Sequence, residues 1–208
     1  MPAVTRRGKV SRAERREEIA RRLFVVVEGL LADGSAFSEI SVEQLITEAG
    51  IARSTFYVYF EDKGALMVEL MDRVTQEIGS AAGDWFSLPP NATRARLRKA
   101  LAKLADAYRQ HGRMLSAVIE AAAYDPRVRE QYAAVMQRRF DDMNDSFIPQ
   151  QRVGAIRQDV KVTAVTPWLA WMFERGLYQA VGQGDELSAS ALDGVTSVVW
   201  QTLYEGTR

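Results

Sequence analysis

The sequence predicts an all-α fold of about nine helices, on three observations. Nearly every apolar run repeats roughly every three to four residues, and strand-like alternation is rare. Ser, Asp, Gly and Pro residues fall at the ends of these runs, where helices begin and stop. The 208 residues are 47% hydrophobic and include no cysteine, so the fold depends on a buried core rather than on disulfides or cysteine-bound metals.

Charge and hydropathy narrow the class of protein. Basic and acidic residues balance at 27 each, which argues against a uniformly basic nucleic-acid coat. The basic residues are nevertheless concentrated in the segment 6–22. No apolar stretch is long enough to span a membrane, and no apolar region follows the charged N-terminus. We therefore expect a cytoplasmic protein with a local basic surface.

The N-terminal third predicts four helices in order. The first has an apolar face over residues 19–31 and ends before a Gly-containing turn. Ser41 begins the second as the N-cap of a capping box with Gln44, and Gly50 ends it. The third and fourth cover about residues 53–59 and 63–79.

Residues 79–91 contain Gly, Ser and a Pro pair, which predicts a break. Five helices follow, over about residues 93–110, 113–123, 126–148, 163–181 and 188–204. This pattern predicts an N-terminal domain over residues 1–62 and a helical domain over residues 63–208. The helix 63–79 would link the two.

Two short helices around a Gly turn, followed by a basic residue, are typical of a helix-turn-helix motif. The second helix would enter the DNA major groove by its N-terminal end, with an exposed side formed by Arg53, Ser54, Thr55, Tyr57 and Tyr59. Arg53 is suited to a bidentate contact with guanine. The hydroxyls of Tyr57 and Tyr59, the Lys63 ammonium and the Ser41 cap suit phosphates. In the alternative interpretation, these helices pack under a bundle and their aromatic residues are core.

The segment ISVEQLITEAGIARSTFYVYFEDKGAL resembles the DNA-binding signature of TetR-family transcriptional regulators. The most specific part is TFYVYF at 55–60 followed by Lys63, and the resemblance extends over about residues 16–74. GAIRQD at 154–159 is similar to the weaker C-terminal pattern of the family. WLAWMFERGLY at 168–178, and Trp200 with the Tyr204 ending, are similar to the last two helices of the EthR-like subgroup. The resemblance implies a homodimer, formed by the last two helices, that binds a palindromic double-stranded DNA operator. It also implies a repressor released by a small hydrophobic effector.

The resemblance also implies roles for individual residues. Arg53, Ser54, Thr55 and Tyr57 would lie at or near the bases, and Tyr59, Lys63 and Ser41 at phosphates. The positions that match the ligand pocket of the subgroup are Leu97, Leu104, Tyr108, Tyr132, Met136, Phe173, Tyr178 and Trp200. Ala170 and Phe173 replace amides of the subgroup, which predicts a more apolar pocket or one filled by its own side chains.

Three further interpretations concern charged and apolar surfaces. Glu43 could accept a hydrogen bond from cytosine, but we expect it to favour the helix N-terminus instead. The basic arm is either a DNA contact or a solvated tail, and it comprises Arg6, Arg7, Lys9 and Arg12. The expected dimer face is an apolar stripe of Leu192, Val195, Val199, Trp200 and Leu203.

Little in the sequence indicates an enzyme. Nucleophile and phosphate-loop motifs are missing, and the single histidine, His111, is predicted to cap a helix end. We therefore expect no catalytic residue, no bound metal and no cofactor. Two alternatives stay open: a DNA-binding regulator without a ligand, and a helical enzyme or membrane-surface protein that uses its basic first helix.

Overall fold

A computed structural model of the protein describes residues 11–182 and 184–206. In this part of the chain the fold is all-helical, as predicted, and it has eight helices. They are α1 (Arg12–Ala32), α2 (Val42–Ala49), α3 (Arg53–Tyr59), α4 (Lys63–Phe86), α5 (Arg94–Tyr124), α6 (Pro126–Arg152), α7 (Val162–Val181) and α8 (Ala189–Leu203). Arg6, Arg7 and Lys9 of the predicted arm lie outside the described residues.

The predicted break between residues 110 and 113 is wrong, because α5 is continuous there. Gly112 is buried where α5 crosses the end of α7, and a Cβ atom on it would overlap the backbone of Gly182. The glycine therefore allows two helices to approach closely rather than ending one.

The predicted end of the linking helix at residue 79 is also wrong, because α4 extends to Phe86. Gly79 lies against the guanidinium of Arg139, and the buried face of α4 continues through Ala82 and Trp85. Helical periodicity therefore overrides the propensity of the glycines in this segment. The division of the chain at residue 62 stays a prediction.

The eight helices share one contiguous core. α1 packs on α2, α4 and α5, while α4 packs on α5 and α6, and α7 and α8 pack on α5. The end of α4 is attached to the end of α8, because the indole nitrogen of Trp85 donates a 3.1 Å hydrogen bond to the hydroxyl of Tyr204. Burial raises the pKa of Tyr204 to about 12.

The helix caps differ in part from prediction. Ser41 does cap α2, since its hydroxyl accepts the backbone N–H of Gln44 at 3.0 Å. The Gln44 side chain, however, donates to Glu48 at 3.2 Å and does not return to the cap. The full capping box lies instead at the start of α1, between Ser11 and Glu14.

Candidate functional site

The turn between α2 and α3 is fixed by backbone geometry. Gly50 has the left-handed conformation, with φ of 59°, that glycine adopts at little cost. Its N–H donates to the Thr47 carbonyl. Arg22 of α1 donates to the carbonyls of Ala49 and Gly50. The orientation of α3 therefore depends on α1 as well as on the turn.

Two buried rings anchor α3 and its following residue in the protein. Phe56 and Phe60 are inaccessible to solvent, with ring centroids 5.6 Å apart. The opposite face is open: Arg53, Ser54, Tyr57 and Val58 are exposed, while Thr55 and Tyr59 are half-buried. The alternative in which the tyrosines belong to the core therefore does not fit Tyr57, which is 46% exposed.

Arg53 has two neighbours on this surface. Its guanidinium forms an exposed ion pair with Glu43 of α2, and it lies over the ring of Tyr57 with its Cζ 5.5 Å from the centroid. Glu43 lies in the first turn of α2, as expected, but its carboxylate is engaged by α3. Some of the Arg53 donors are therefore occupied by the protein itself in this state.

The Lys63 ammonium is hydrogen-bonded within the protein instead of being free to contact a DNA phosphate. Its ammonium donates to the carbonyls of Phe37, Ser38 and Ile40 at 3.1, 3.0 and 2.6 Å. Burial lowers the pKa of Lys63. An ammonium has three donors, so all of them are engaged here. Its contact with phosphate stays a prediction, and it would require an exchange of one of these bonds.

Some basic residues of α1 bind other helices of the protein, and others are exposed to solvent. Arg16 binds Glu69 of α4 at 2.7 Å, and Arg22 caps α2. Arg12 and Arg15 are exposed and form no ion pair within the described part of the chain. The basic surface that α1 offers to a partner is therefore smaller than the sequence suggests.

The helix-turn-helix is joined to the larger bundle by charged contacts. Arg127, in the first turn of α6, lies 2.8 Å from Asp62 and 2.9 Å from Asp125. These two aspartates are the N-caps of α4 and α6, respectively. Glu120 of α5 also accepts the backbone N–H of Ser38 at 3.1 Å. These contacts attach the start of α4 to α6 and the segment between α1 and α2 to α5.

His111 lies inside α5 and is buried, so the predicted helix-end cap is wrong. Its Nδ1 is 3.9 Å from Glu28 of α1, and its Nε2 is 3.0 Å from Glu77 of α4. The Glu28 and Glu77 carboxylates raise the pKa of His111. This histidine therefore bridges three helices at the junction of the helix-turn-helix and the bundle.

A cavity of about 60 Å³ lies between α4, α5, α6 and α7, and we call it the effector cavity. The structure brings five predicted ligand residues to its wall, namely Leu104, Tyr108, Tyr132, Met136 and Phe173. Its remaining wall is largely apolar, with Glu174 and Arg139 as the charged members.

Three predicted ligand residues lie elsewhere. Leu97 is fully buried in the core of the bundle. The hydroxyl of Tyr178 lies 3.1 Å from that of Ser116 on α5. Trp200 packs on Tyr204, with ring centroids 5.6 Å apart.

The wall formed by α4 was missed by sequence reasoning, because the helix was expected to end at residue 79. This wall includes Thr75, Ile78, Ala82, Trp85 and Phe86. The sequence signal that could have revealed this wall is the pair Trp85 and Phe86, two adjacent aromatic residues in a segment expected to be a loop. They pack on the buried ring of Phe147, at centroid distances of 5.2 and 5.6 Å.

Glu174 was also missed, since a Glu-Arg pair in a helix usually indicates a solvated face. The structure places it at the cavity, 6% exposed, where its carboxylate accepts a hydrogen bond from the hydroxyl of Tyr132. Burial and this hydrogen bond raise the pKa of Tyr132. The effector cavity is therefore apolar with one buried carboxylate.

The predicted apolar stripe of α8 is only partly accessible, with Val195 and Trp200 half-buried. Leu192, Val199 and Leu203 are buried within the protomer, because α8 rests on α5. The exposed apolar residues of the last two helices are instead Trp168, Trp171 and Val198, at 78%, 40% and 45% exposure. These exposed side chains lie outside the predicted stripe.

A helix-turn-helix with an exposed third helix, joined to a bundle that encloses a cavity, defines the class of DNA-binding regulators with a separate effector region. No helix in the described ranges has the length and apolar character needed to cross a membrane.

Comparison with known proteins identifies the family. Residues 97–205 match the family described as "Transcriptional regulator EthR, C-terminal domain", and residues 35–70 match "Bacterial regulatory proteins, tetR family". The chain belongs to the TetR family of transcriptional regulators and carries the EthR type of C-terminal domain. This confirms the resemblance found in the sequence, and it defines a regulator rather than an enzyme.

Individual relatives agree with this assignment. The HTH-type transcriptional regulator EthR of Mycolicibacterium smegmatis is 26% identical over 181 residues, covering 85% of this chain and 82% of its own. EthR of Mycobacterium tuberculosis is 28% identical over 190 residues, covering 89% and 87%. A putative TetR-family regulator from Mesorhizobium loti has the same fold, with a TM-score of 0.72, 17% identity and coverage of 93% and 99%.

Proposed function

We propose that this regulator is a homodimeric repressor that binds a palindromic operator and is released by a small hydrophobic effector. Each subunit would place the N-terminal end of α3 in a major groove, with the two grooves about 34 Å apart. Because DNA is its partner, it would act in the cytoplasm. The observation that carries the proposal is α4, which begins at the helix-turn-helix and ends in the wall of the effector cavity.

The size of the cavity supports a mechanism for release. Ligand sites usually enclose about 300–1,000 Å³, whereas the effector cavity encloses about 60 Å³. An effector would therefore bind a state in which side chains or helices have moved apart. α4 forms one wall, so such a state alters the position of α3 relative to its symmetry mate. Operator affinity would fall by the differential affinity of the effector, about 1–3 kcal/mol.

Dimerisation through α7 and α8 is supported by the two exposed tryptophans of α7 and by the exposed Val198 of α8. A twofold interface requires one self-complementary surface, and Trp168 and Trp171 lie on one exposed face of α7. Large exposed aromatic residues are enriched in such interfaces. The dimer would hold both α3 helices at a fixed separation.

The direct test is selection of bound duplexes from a random pool by the full-length protein. We expect a consensus with twofold symmetry and half-sites about one helical turn apart. Enrichment of an asymmetric sequence, or of none, would contradict the proposed dimer on a palindrome. Release of the selected duplex by compounds that also raise the melting temperature tests ligand control.

A second candidate, a DNA-binding regulator without an effector, is favoured by the same small cavity. In that case Trp85, Phe86 and Phe173 would simply complete the core. A screen of apolar compounds distinguishes the two, because a filled core gains no stability from any of them while operator binding stays intact.

A further inference from the structure

The buried carboxylate of Glu174 has an unused hydrogen-bonding site at the effector cavity. One oxygen, Oε1, accepts from the Tyr132 hydroxyl. The other, Oε2, is buried and has no hydrogen-bond partner. Buried polar groups are normally satisfied, and a bare carboxylate oxygen in an apolar site is costly. The unsatisfied oxygen therefore indicates a ligand that donates a hydrogen bond to it.

The neighbouring positive charges do not fulfil this role. Arg139 lines the same cavity, but its guanidinium donates to the Thr75 carbonyl and lies 3.7 Å from Asp142. Arg175 is exposed and lies over the ring of Tyr178, with its Cζ 5.8 Å from the centroid. Among the described residues, none forms an ion pair with Glu174. The carboxylate is therefore the group at the cavity that lacks a counter-charge.

The surrounding rings suit a cation attached to an apolar body. Tyr108, Trp85 and Phe173 line the cavity beside Glu174. Faces of aromatic rings attract ammonium groups, and a carboxylate forms charge-assisted hydrogen bonds with them. An anionic group placed at this oxygen would be repelled by the carboxylate, and a purely apolar compound would leave Oε2 unsatisfied.

We propose that the effector is an amine, protonated in the bound state, whose ammonium donates to Oε2 of Glu174. This inference rests on the proposed ligand control and adds the chemical class of the ligand. The amine would enter as the cavity opens and would stabilise the opened state through an ion pair that neutral compounds cannot form.

The test uses three probes with the same phenyl ring and four-methylene chain: 4-phenylbutylamine, 4-phenylbutanol and 5-phenylvalerate. Binding to the full-length protein is measured by calorimetry and thermal shift. We expect the amine to bind about tenfold or more tightly than the alcohol, because its hydrogen bond is charge-assisted. The carboxylate should bind most weakly. Glu174→Gln should reduce the amine preference to about twofold or less, because the neutral amide has no charge to pair with the ammonium.

Tyr132→Phe is the matched second variant, since it keeps the carboxylate and removes only the hydroxyl. It should retain the amine preference, whereas loss of the preference would assign the amine to the tyrosine and overturn the inference. Equal binding of amine and alcohol to the wild type would also overturn it, but ligand control would survive. Binding of none of the probes, with operator binding intact, would contradict ligand control and the inference together.

Discussion

At the scale of single residues, we expect the ion pair between Glu43 and Arg53 to oppose the proposed DNA contact of Arg53. Glu43→Gln should raise operator affinity by about two- to fivefold. An exposed ion pair contributes a few tenths to about 1 kcal/mol, and this contribution is lost when Arg53 turns to DNA. The substitution also removes a negative charge that the DNA phosphates repel. The measurement is the dissociation constant on the selected duplex. Glu48→Gln, on the same helix, controls for net charge. A loss of affinity with relaxed preference at one C·G pair would instead assign Glu43 to a base.

Lys63 allows a structural role to be separated from a DNA-binding role. Lys63→Met should lower the free energy of unfolding by about 2 kcal/mol, because three carbonyls lose a charged donor. Urea unfolding measures this. If Lys63 also binds a phosphate, the slope of log K for DNA binding against log salt concentration decreases in magnitude by about one unit in this variant. Unchanged stability would contradict the hydrogen bonds described here, and an unchanged slope would exclude the phosphate contact.

At the scale of helices, His111 makes the junction of α1, α4 and α5 sensitive to pH. Its folded-state pKa is raised above 6.5, so its contribution to stability is complete below about pH 6.5 and is lost as pH rises through the folded value. Urea unfolding between about pH 6 and pH 9 should show this fall. His111→Gln should remove that part of the slope. Parallel profiles for the two proteins would contradict the prediction.

The crossing of α5 and α7 depends on Gly112. Gly112→Ala should destabilise the protein by about 1–3 kcal/mol, because the new methyl group overlaps the backbone of Gly182. Gly83→Ala in α4 is the control, since its Cβ would meet no atom within 4 Å. That variant should gain about 0.5–1 kcal/mol. Equal effects of the two substitutions in thermal unfolding would show that helix propensity alone acts at both sites.

These glycines also explain how far the sequence predicts the structure. Helical class, the α2–α3 motif and the exposed end of α3 follow from local spacing and caps, which act over a few residues. The helix ends predicted at Gly79 and near Gly112 are wrong because these glycines serve tertiary packing. Each lies where a side chain or the backbone of another helix approaches closely. Glu174 was missed for the same reason, since its burial depends on the packing of α7 against α5 and α6.

At the scale of the whole molecule, the exposed tryptophans predict the oligomeric state. Trp168→Asp should convert the dimer to a monomer, because a charge would replace a large ring in the proposed interface. Sedimentation equilibrium measures this. Val25→Asp, at a 62% exposed position on α1, is the control and should leave the mass unchanged. A Trp168→Asp protein that remains dimeric would exclude this face of α7 from the interface.

Under the proposed effector control, the hydrogen bond between Trp85 and Tyr204 bears on how steeply the protein would respond to its effector. Trp85 is part of the cavity wall, and Tyr204 ends α8 with its ring against Trp200. In the proposed dimer built on α7 and α8, displacement of that indole would shift the C-terminal end of α8 through Tyr204. Occupancy of one protomer would thereby alter the affinity of its twin, giving a sigmoidal induction curve rather than a hyperbolic one.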